Sequence, residues 1–361
     1  MSNVVEYKDI MAFHPGYYIE ELIDDLGISQ AELAMRVGTT PKTISRLVNG
    51  KENLSHEIAE NLSIMLGTSV ELWLNLQAEY EKKLAEIRIQ QKLDDQVEIA
   101  RLIDYNYFVL TINLPSARDI TEKVNNLCAF FKIANLRILA NEDFLASYRT
   151  SIKDVELKNI VNARAWLQTA INVARQQDTK SFDCKLFQAA LQEIRKMTLE
   201  NEDVFLPKLK TLMADCGVKF VVLPYLKNSG VNGVVKWLDK DHVMLAMNNR
   251  RLYADDFWFS FFHEAKHVLQ FKHKQIFVSY EDRKEMKNDL EKEADEFSSD
   301  FLISDSKYKE YISQNRITKA SVIDFANSIG VHPGIVVGRL QHDKKLAPNM
   351  FNGLRVKYRL V

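Results

Sequence analysis

The sequence predicts a mainly α chain with a small α+β part. Three observations carry that class. Capped segments with apolar residues at helical spacing fill most of the first 210 positions. Short β-rich runs then fall between Cys216 and Met247. A helical stretch, Asp255 to Gln270, follows them and contains His-Glu-x-x-His. At 361 residues the chain has room for two or three domains. The reading divides it into a helical unit at 1–85, a helical connector or platform at 86–210, a sheet-containing domain at 211–345 and a tail at 346–361.

Composition excludes little and sets the terms for the rest. Hydrophobic residues at 46% and charged residues at 27% describe an ordinary globular protein. A net charge of −1 gives no global pull towards nucleic acid or membrane, so DNA binding requires a local patch. Cys128, Cys184 and Cys216 are odd in number and widely spaced, which reads as reduced core thiols in a cytoplasmic protein. The first residues lack a basic region followed by an apolar run, and no apolar run approaches the ~18 residues that span a bilayer. No membrane partner is expected.

From the start, His14-Pro15-Gly16 follows a short arm and leads into an amphipathic helix, Tyr17 to Leu26, closed by Gly27. Ser29-Gln30-Ala31-Glu32 is a capping box, and its helix stops at Gly38. Thr40 caps a third helix with Pro41 at its first position. That helix buries Ile44, Leu47 and Val48 and turns Lys42, Ser45, Arg46 and Asn49 outward. Two short helices around a Gly-containing turn, the second with a polar outer face, form a helix-turn-helix whose second helix suits the major groove. Residues 1 to 85 hold 7 Lys/Arg against 13 Asp/Glu, yet Arg36, Lys42, Arg46 and Lys51 lie in a stretch without an acid. An acidic module with one basic face favours oriented contact with phosphate. Lys42, Ser45 and Arg46 are assigned to base edges or adjacent phosphates, and Ser29 and Gln30 to the backbone. Thr40, Thr43 and Asn49 complete the candidate surface.

The middle is helix-rich and poor in motifs. Lys82 to Leu102 continues a helix into a charged stretch. Later helices show Val124, Leu127, Cys128 and Phe131 on one face, then Ile160, Ala163, Leu167, Ala170 and Ala174, then Leu186, Ala190, Ile194 and Met197. Trp166 and Phe187 read as packing residues, and Gln176 to Lys180 as an exposed loop. No chemistry is assigned here.

Cys216 to Pro224 reads as a buried strand. Gly233 to Leu238 and His242 to Met247 read as two more, joined by Asp239-Lys240-Asp241. Beyond them, Asp255 or Asp256 caps the helix of the His-Glu-x-x-His motif. Residues four apart share a helix face, so His263 and His267 can hold one metal ion with Glu264 beside its open position. A zinc ion so held lowers the pKa of its water from about 15.7 to roughly 7, and a neighbouring carboxylate can serve as general base in peptide hydrolysis. The third ligand is sought in a second helix, Asn288 to Leu302, with Leu290, Ala294, Phe297 and Phe301 facing the first. Glu293 borders that stripe, where a carboxylate could complete the shell, and Glu291 is its nearest rival. His242 and His273 read as surface residues. His332 reads as a helix cap, with an alternative role of steadying an oxyanion. The final positions, 346–361, read as a loose strand or tail.

These residues carry two resemblances. Phe257 to Phe262 before His263-Glu264-x-x-His267, with Glu291-x-Glu293-Ala294-Asp295-x-Phe297 after it, resembles the ImmA/IrrE metallopeptidases over roughly 215–345. The resemblance implies a zincin-like fold with His263, His267 and Glu293 on zinc and Glu264 as catalytic residue; the chain departs from the family at Gln270 and Ser304. Ser29 to Ala34 with Ile44 to Lys51 resembles the Cro/λ-repressor-type helix-turn-helix. Ala59, Leu62, Leu66-Gly67-Thr68-Ser69 and Trp73 to Gln77 extend the likeness to HigA/VapI-type antitoxins. This resemblance implies a five-helix lambda-repressor-like domain that binds a double-stranded DNA operator as a homodimer. Together they imply a regulator with a zinc peptidase that cuts a specific protein substrate. The alternative is an antitoxin and autorepressor whose peptidase-like domain binds a cognate toxin or ligand and cuts nothing.

Overall fold

The computed structural model describes residues 3–141, 156–250, 253–270, 276–280, 289–314 and 317–360; for 276–280 it describes the backbone. The chain forms two compact units, 1–97 and 98–361.

The first unit opens with an antiparallel hairpin of β1 (Val4–Tyr7) and β2 (Ile10–Phe13). The sequence reading held only an arm here. Each strand has four residues, too few to show an alternating pattern, and the turn between them uses Lys8 at φ 52°. Five helices follow: α1 (Pro15–Leu26), α2 (Gln30–Val37), α3 (Pro41–Val48), α4 (His56–Leu66) and α5 (Val70–Leu102), the last continuing past the unit's boundary. The caps read at Gly27, Ser29, Gly38 and Thr40 hold, and α4 carries the same kind at Ser55 and Gly67. Ser29, Thr40 and Ser55 accept backbone N–H groups at helix starts, while Gly27, Gly38 and Gly67 end helices at positive φ. Ile19, Leu33, Ala34, Ile44, Leu47 and Leu62 are fully buried and tie α1 to α4 into one core. Gly16 lets α1 meet the end of α3, because a Cβ there would lie 1.9 Å from the Leu47 carbonyl oxygen.

The second unit contains α6 (Tyr105–Ile112), α7 (Ile120–Phe131), α8 (Leu157–Arg175), α9 (Cys184–Lys196) and α10 (Glu202–Asp215). A sheet of β3 (Val218–Leu223), β4 (Val231–Trp237), β5 (Val243–Asn248) and β6 (Ile276–Tyr280) is ordered β3-β5-β4-β6. β3 runs parallel to β5, and β4 pairs antiparallel with β5 and β6. β6 was not foreseen. The remaining helices are α11 (Ala254–Leu269), α12 (Asp289–Leu302), α13 (Asp305–Ser313), α14 (Lys319–Ile329) and α15 (Pro333–His342). α11 carries the His-Glu-x-x-His motif and packs on β4, β5, α12 and α15. Phe257, Trp258, Phe261 and Phe262 are buried along it, which anchors the motif in an extended apolar cluster.

Expected divisions near 210 and 345 do not separate compact units, because hydrogen bonds cross both. Tyr107 and Trp166 donate to the Pro224 carbonyl at 2.9 and 3.1 Å, joining the helical layer to the loop after β3. The final positions are fastened to the start of α11. Ala254 N–H donates to Val356 O at 2.8 Å, Trp258 donates to the Tyr358 hydroxyl at 2.9 Å, and Arg355 forks onto Asp255 at 2.6 and 3.0 Å. Tyr253, not Asp255 or Asp256, occupies the α11 N-cap, so both carboxylates fall in the first turn, where the helix dipole favours them. On α9 Ala190 and Ile194 are buried as expected, as is Met197 just beyond it, while Phe187 takes the inward place and Leu186 is 54% exposed.

Candidate nucleic-acid interface and metal centre

The outer face of α3 is presented rigidly. Thr40 Oγ1 accepts from Thr43 N–H at 3.1 Å and lies 2.9 Å from the Thr43 hydroxyl. Asn49 folds back to donate to Ser45 O at 2.6 Å. Ile44, Leu47 and Val48 are buried beneath, as expected, and Lys42, Arg46 and Asn49 are exposed. Ser29 lies at the exposed start of α2, where it caps Glu32 N–H at 3.1 Å; Gln30 follows it, half-buried. The Glu32 carboxylate takes Arg36 instead of closing the reciprocal half of the capping box. Arg46 meets Glu52 at 3.0 Å. Two of the four basic side chains in this stretch are therefore held by carboxylates just outside it. Lys42 and Lys51 have no carboxylate within ion-pair distance among the described residues.

The candidate metal centre lies between α11 and α12. His263 and His267, four residues apart on α11, are fully buried, and their Nε2 atoms lie 3.1 Å from each other. Glu291 of α12 completes the group: its two oxygens lie 3.1 Å from His263 Nε2 and 3.2 Å from His267 Nε2. Four ligands held about 2.0–2.1 Å from zinc span tetrahedral edges of roughly 3.3 Å, close to all three separations. The opposite ring nitrogens are also occupied. His263 Nδ1 lies 2.9 Å from Asp295 Oδ1, and His267 Nδ1 lies 2.8 Å from Gln270 Oε1. Such contacts orient imidazoles and direct their Nε2 lone pairs to one point. Two imidazole nitrogens and one carboxylate are a donor set that fits a divalent zinc ion. Burial acts to raise the Glu291 carboxyl, but hydrogen bonding and charge from the two imidazoles outweigh it and hold the group well below the usual carboxylate range.

Glu293, the residue expected to complete this shell, points elsewhere. It is half-exposed, pairs with Lys266 at 2.8 Å and accepts from Gln270 at 2.9 Å. At about 100° per residue it sits roughly 200° around α12 from Glu291, so one helix cannot aim both at one ion. The stripe facing inward is Glu291, Ala294, Ser298 and Leu302, with Leu290, Phe297 and Phe301 only partly buried against the core. Ala294 and Ser298 were the available signal: small residues three and seven positions after Glu291 let the helices approach. Ser298 donates to Phe259 O at 2.7 Å across that contact. Asp295 and Gln270 were missed as holders of the imidazoles, although Asp295 lies four residues after Glu291 and Gln270 three after His267.

Glu264 is 1% exposed and lies against β4, where a Cβ on Gly233 would come within 2.4 Å of its Oε1. Gly233 is thus the clearance for this carboxylate. His332 caps α15, its Nδ1 accepting from Gly334 N–H at 3.1 Å. His242 meets Asp239 at the β4–β5 turn. His273 lies outside the described residues.

A family described as Helix-turn-helix matches residues 19–73. An uncharacterised HTH-type transcriptional regulator, YddM, of Escherichia coli K12 is 41% identical over 88 residues, which are 22% of this chain and 94% of that protein. The chain belongs to the helix-turn-helix family. Virulence-associated protein I of Dichelobacter nodosus is 30% identical over 87 residues, 24% of this chain and 81% of its own. Among solved structures, an addiction module antidote protein of a HigA family from Coxiella burnetii is 29% identical, covering 23% of this chain and 92% of its own, with a TM-score of 0.22. The helix-turn-helix match contains α2 and α3 whole, so every proposed contact on them lies inside it. Among the described residues of this helix-turn-helix protein, no single helix is long and apolar enough to cross a membrane.

Proposed function

We propose that this helix-turn-helix protein is an antitoxin-like transcriptional regulator that sits as a homodimer on a double-stranded DNA operator in the cytoplasm. The observation that carries the reading is the capped α3, which buries Ile44, Leu47 and Val48 and exposes Lys42 and Arg46 on its other side. The likeness to a protein named as an HTH-type transcriptional regulator supports it. Lys42 and Arg46 engage phosphates and base edges, Ser45, Thr43 and Asn49 the neighbouring edges, and Ser29, Gln30 and Thr40 the backbone. The test is footprinting on DNA upstream of the chain's own gene over a salt series. A protected site whose affinity falls with salt, and falls further in Arg46→Ala, is expected; equal binding to all DNA fragments removes the operator reading.

The C-terminal unit then serves as a metal-holding module that receives a protein, either a toxin or a substrate. A second reading makes it a zinc-dependent peptidase of the ImmA/IrrE type, and the buried Glu264 beside His263 favours it. His263, His267 and Glu291 would hold the ion, with Asp295 and Gln270 orienting the imidazoles. Zinc, when bound, supplies Lewis acidity towards a carbonyl and an acidified water. Glu264 takes the proton from the attacking water and passes it to the leaving amine. Gly233 gives that carboxylate its place. Glu264→Gln decides between the readings: metal retained with loss of cleavage supports the peptidase, and unchanged partner binding without cleavage in either form supports the receiving module.

A further inference from the structure

The outer face of α3 narrows to one line of side chains. Successive residues of a helix turn by about 100°. With Ile44, Leu47 and Val48 buried, the direction opposite the core falls on Lys42, Arg46 and Asn49, at i, i+4 and i+7. All three are exposed, and Thr43 and Ser45 stand half-buried on either side of them. What holds the three differs. Arg46 lies back over the loop that follows α3: its Nε is 3.0 Å from Glu52, and its Nη2 donates to Lys51 O at 3.4 Å. Asn49 turns its amide back along the helix to Ser45 O at 2.6 Å, not outward as a paired contact to adenine requires. Lys42 carries no such tether among the described residues. It is also the second residue of α3, at the end of the helix that a helix-turn-helix brings to the base edges.

We propose that Lys42 is the residue of α3 that selects sequence, and that each half of the operator presents a guanine to it in the major groove. An ammonium donates and has no acceptor. Guanine is the base whose major-groove edge offers two acceptors, N7 and O6. Adenine sets a donor beside N7, cytosine presents a donor, and thymine sets one acceptor beside a methyl group. A donor-only side chain at this place favours a G·C pair. Arg46, drawn towards Lys51 past the C-terminal end of the helix, serves a phosphate, which fixes orientation and carries no sequence. The assignment rests on the reading that the first unit binds an operator, and adds which side chain selects it and through which base.

The experiment selects bound duplexes from a random DNA pool with the full-length chain and with Lys42→Gln, Lys42→Ala and Arg46→Ala. All three substitutions fall on exposed side chains, and circular dichroism checks that each variant is folded. The wild type is expected to enrich a guanine at one fixed position of each half-site. Lys42→Ala should lose that preference by about tenfold, and Lys42→Gln, whose amide matches N7 and N6 of adenine, should exchange it for adenine. Arg46→Ala should bind every selected duplex more weakly, keep the guanine and reduce the salt slope by about one. 7-Deazaguanine at the selected position, which removes N7, should weaken the wild type and leave Lys42→Ala unchanged. The same base preferences in the wild type and both Lys42 variants overturn the assignment and leave the operator reading intact. So does a guanine lost in Arg46→Ala and kept in Lys42→Ala. Enrichment of no sequence by the wild type overturns both.

Discussion

Arg46 on α3 is held 3.0 Å from Glu52, in an ion pair that occupies the guanidinium proposed to meet DNA. Both side chains are roughly half-exposed, so the pair is a weak tether, worth about 0.2–1 kcal/mol. Glu52→Gln removes the competitor and one negative charge beside the phosphates. Operator affinity is expected to rise about two- to fivefold, and Arg46→Ala to lower it. Fluorescence anisotropy at fixed salt checks this. Unchanged affinity in Glu52→Gln would mean that Arg46 does not leave Glu52 for DNA.

Metal content separates the two candidate carboxylates on α12. Glu291→Ala is expected to lose zinc and Glu293→Ala to keep it, by elemental analysis of the purified chain. Asp295→Asn keeps the ligands but loosens the His263 ring, with affinity expected to fall about 10- to 100-fold. Zinc retained in Glu291→Ala would sink the three-ligand site.

Gly233→Ala places a methyl group into the Glu264 carboxylate. The expected cost is about 1–3 kcal/mol by urea denaturation, as for other overpacked sites. Adding Glu264→Ala should relieve most of it, and a double-mutant cycle with no coupling would refute the contact.

Arg195 near the end of α9 donates to Phe301 O at 2.7 Å, Leu302 O at 2.8 Å and Ile329 O at 3.0 Å. One guanidinium thus satisfies carbonyls at the C-termini of both α12 and α14. Arg195→Met keeps much of the stem and leaves these acceptors unpaired. A loss of about 2–4 kcal/mol is expected in chemical unfolding, and a loss below about 0.5 kcal/mol would show that solvent replaces the cap.

His14 and His332 begin two His-Pro-Gly helix starts, in each of which Nδ1 accepts from the glycine N–H two residues on. Burial lowers the pKa of both rings. A depressed folded-state pKa gives stability that is fully present above the unfolded value of about 6.5 and is lost as pH falls through the folded value. Acidification from pH 7.5 to 5 should therefore weaken both units. His14→Asn retains a capping oxygen and should flatten the pH dependence of the first unit, where a lost cap costs about 1 kcal/mol. An equally steep profile in that variant would assign the acid sensitivity to other groups.

Local chemistry made α1 to α3 legible. Caps, Pro41 and terminal glycines act within a few residues, and one apolar stripe set each buried face. The same locality made His263, Glu264 and His267 readable as one constellation, since a single helix fixes their spacing. The β1–β2 hairpin and β6 were too short to carry a pattern. Glu291 against Glu293 turned on which face of α12 meets α11, and the partly buried Phe297 and Phe301 pointed to the neighbouring face.

By itself the sequence determined the helix-turn-helix, the outward position of Lys42 and Arg46, and the two imidazoles on one side of α11, because these follow from the 3.6-residue period and from capping. Only the tertiary structure decided that Glu291 meets those imidazoles, that Gly233 makes room for Glu264, and that Arg355 near the end of the chain grips the start of α11. Each of these joins residues far apart in sequence. The rotation of one helix against another, and the clearance between a strand and a helix, are set by packing of the whole core.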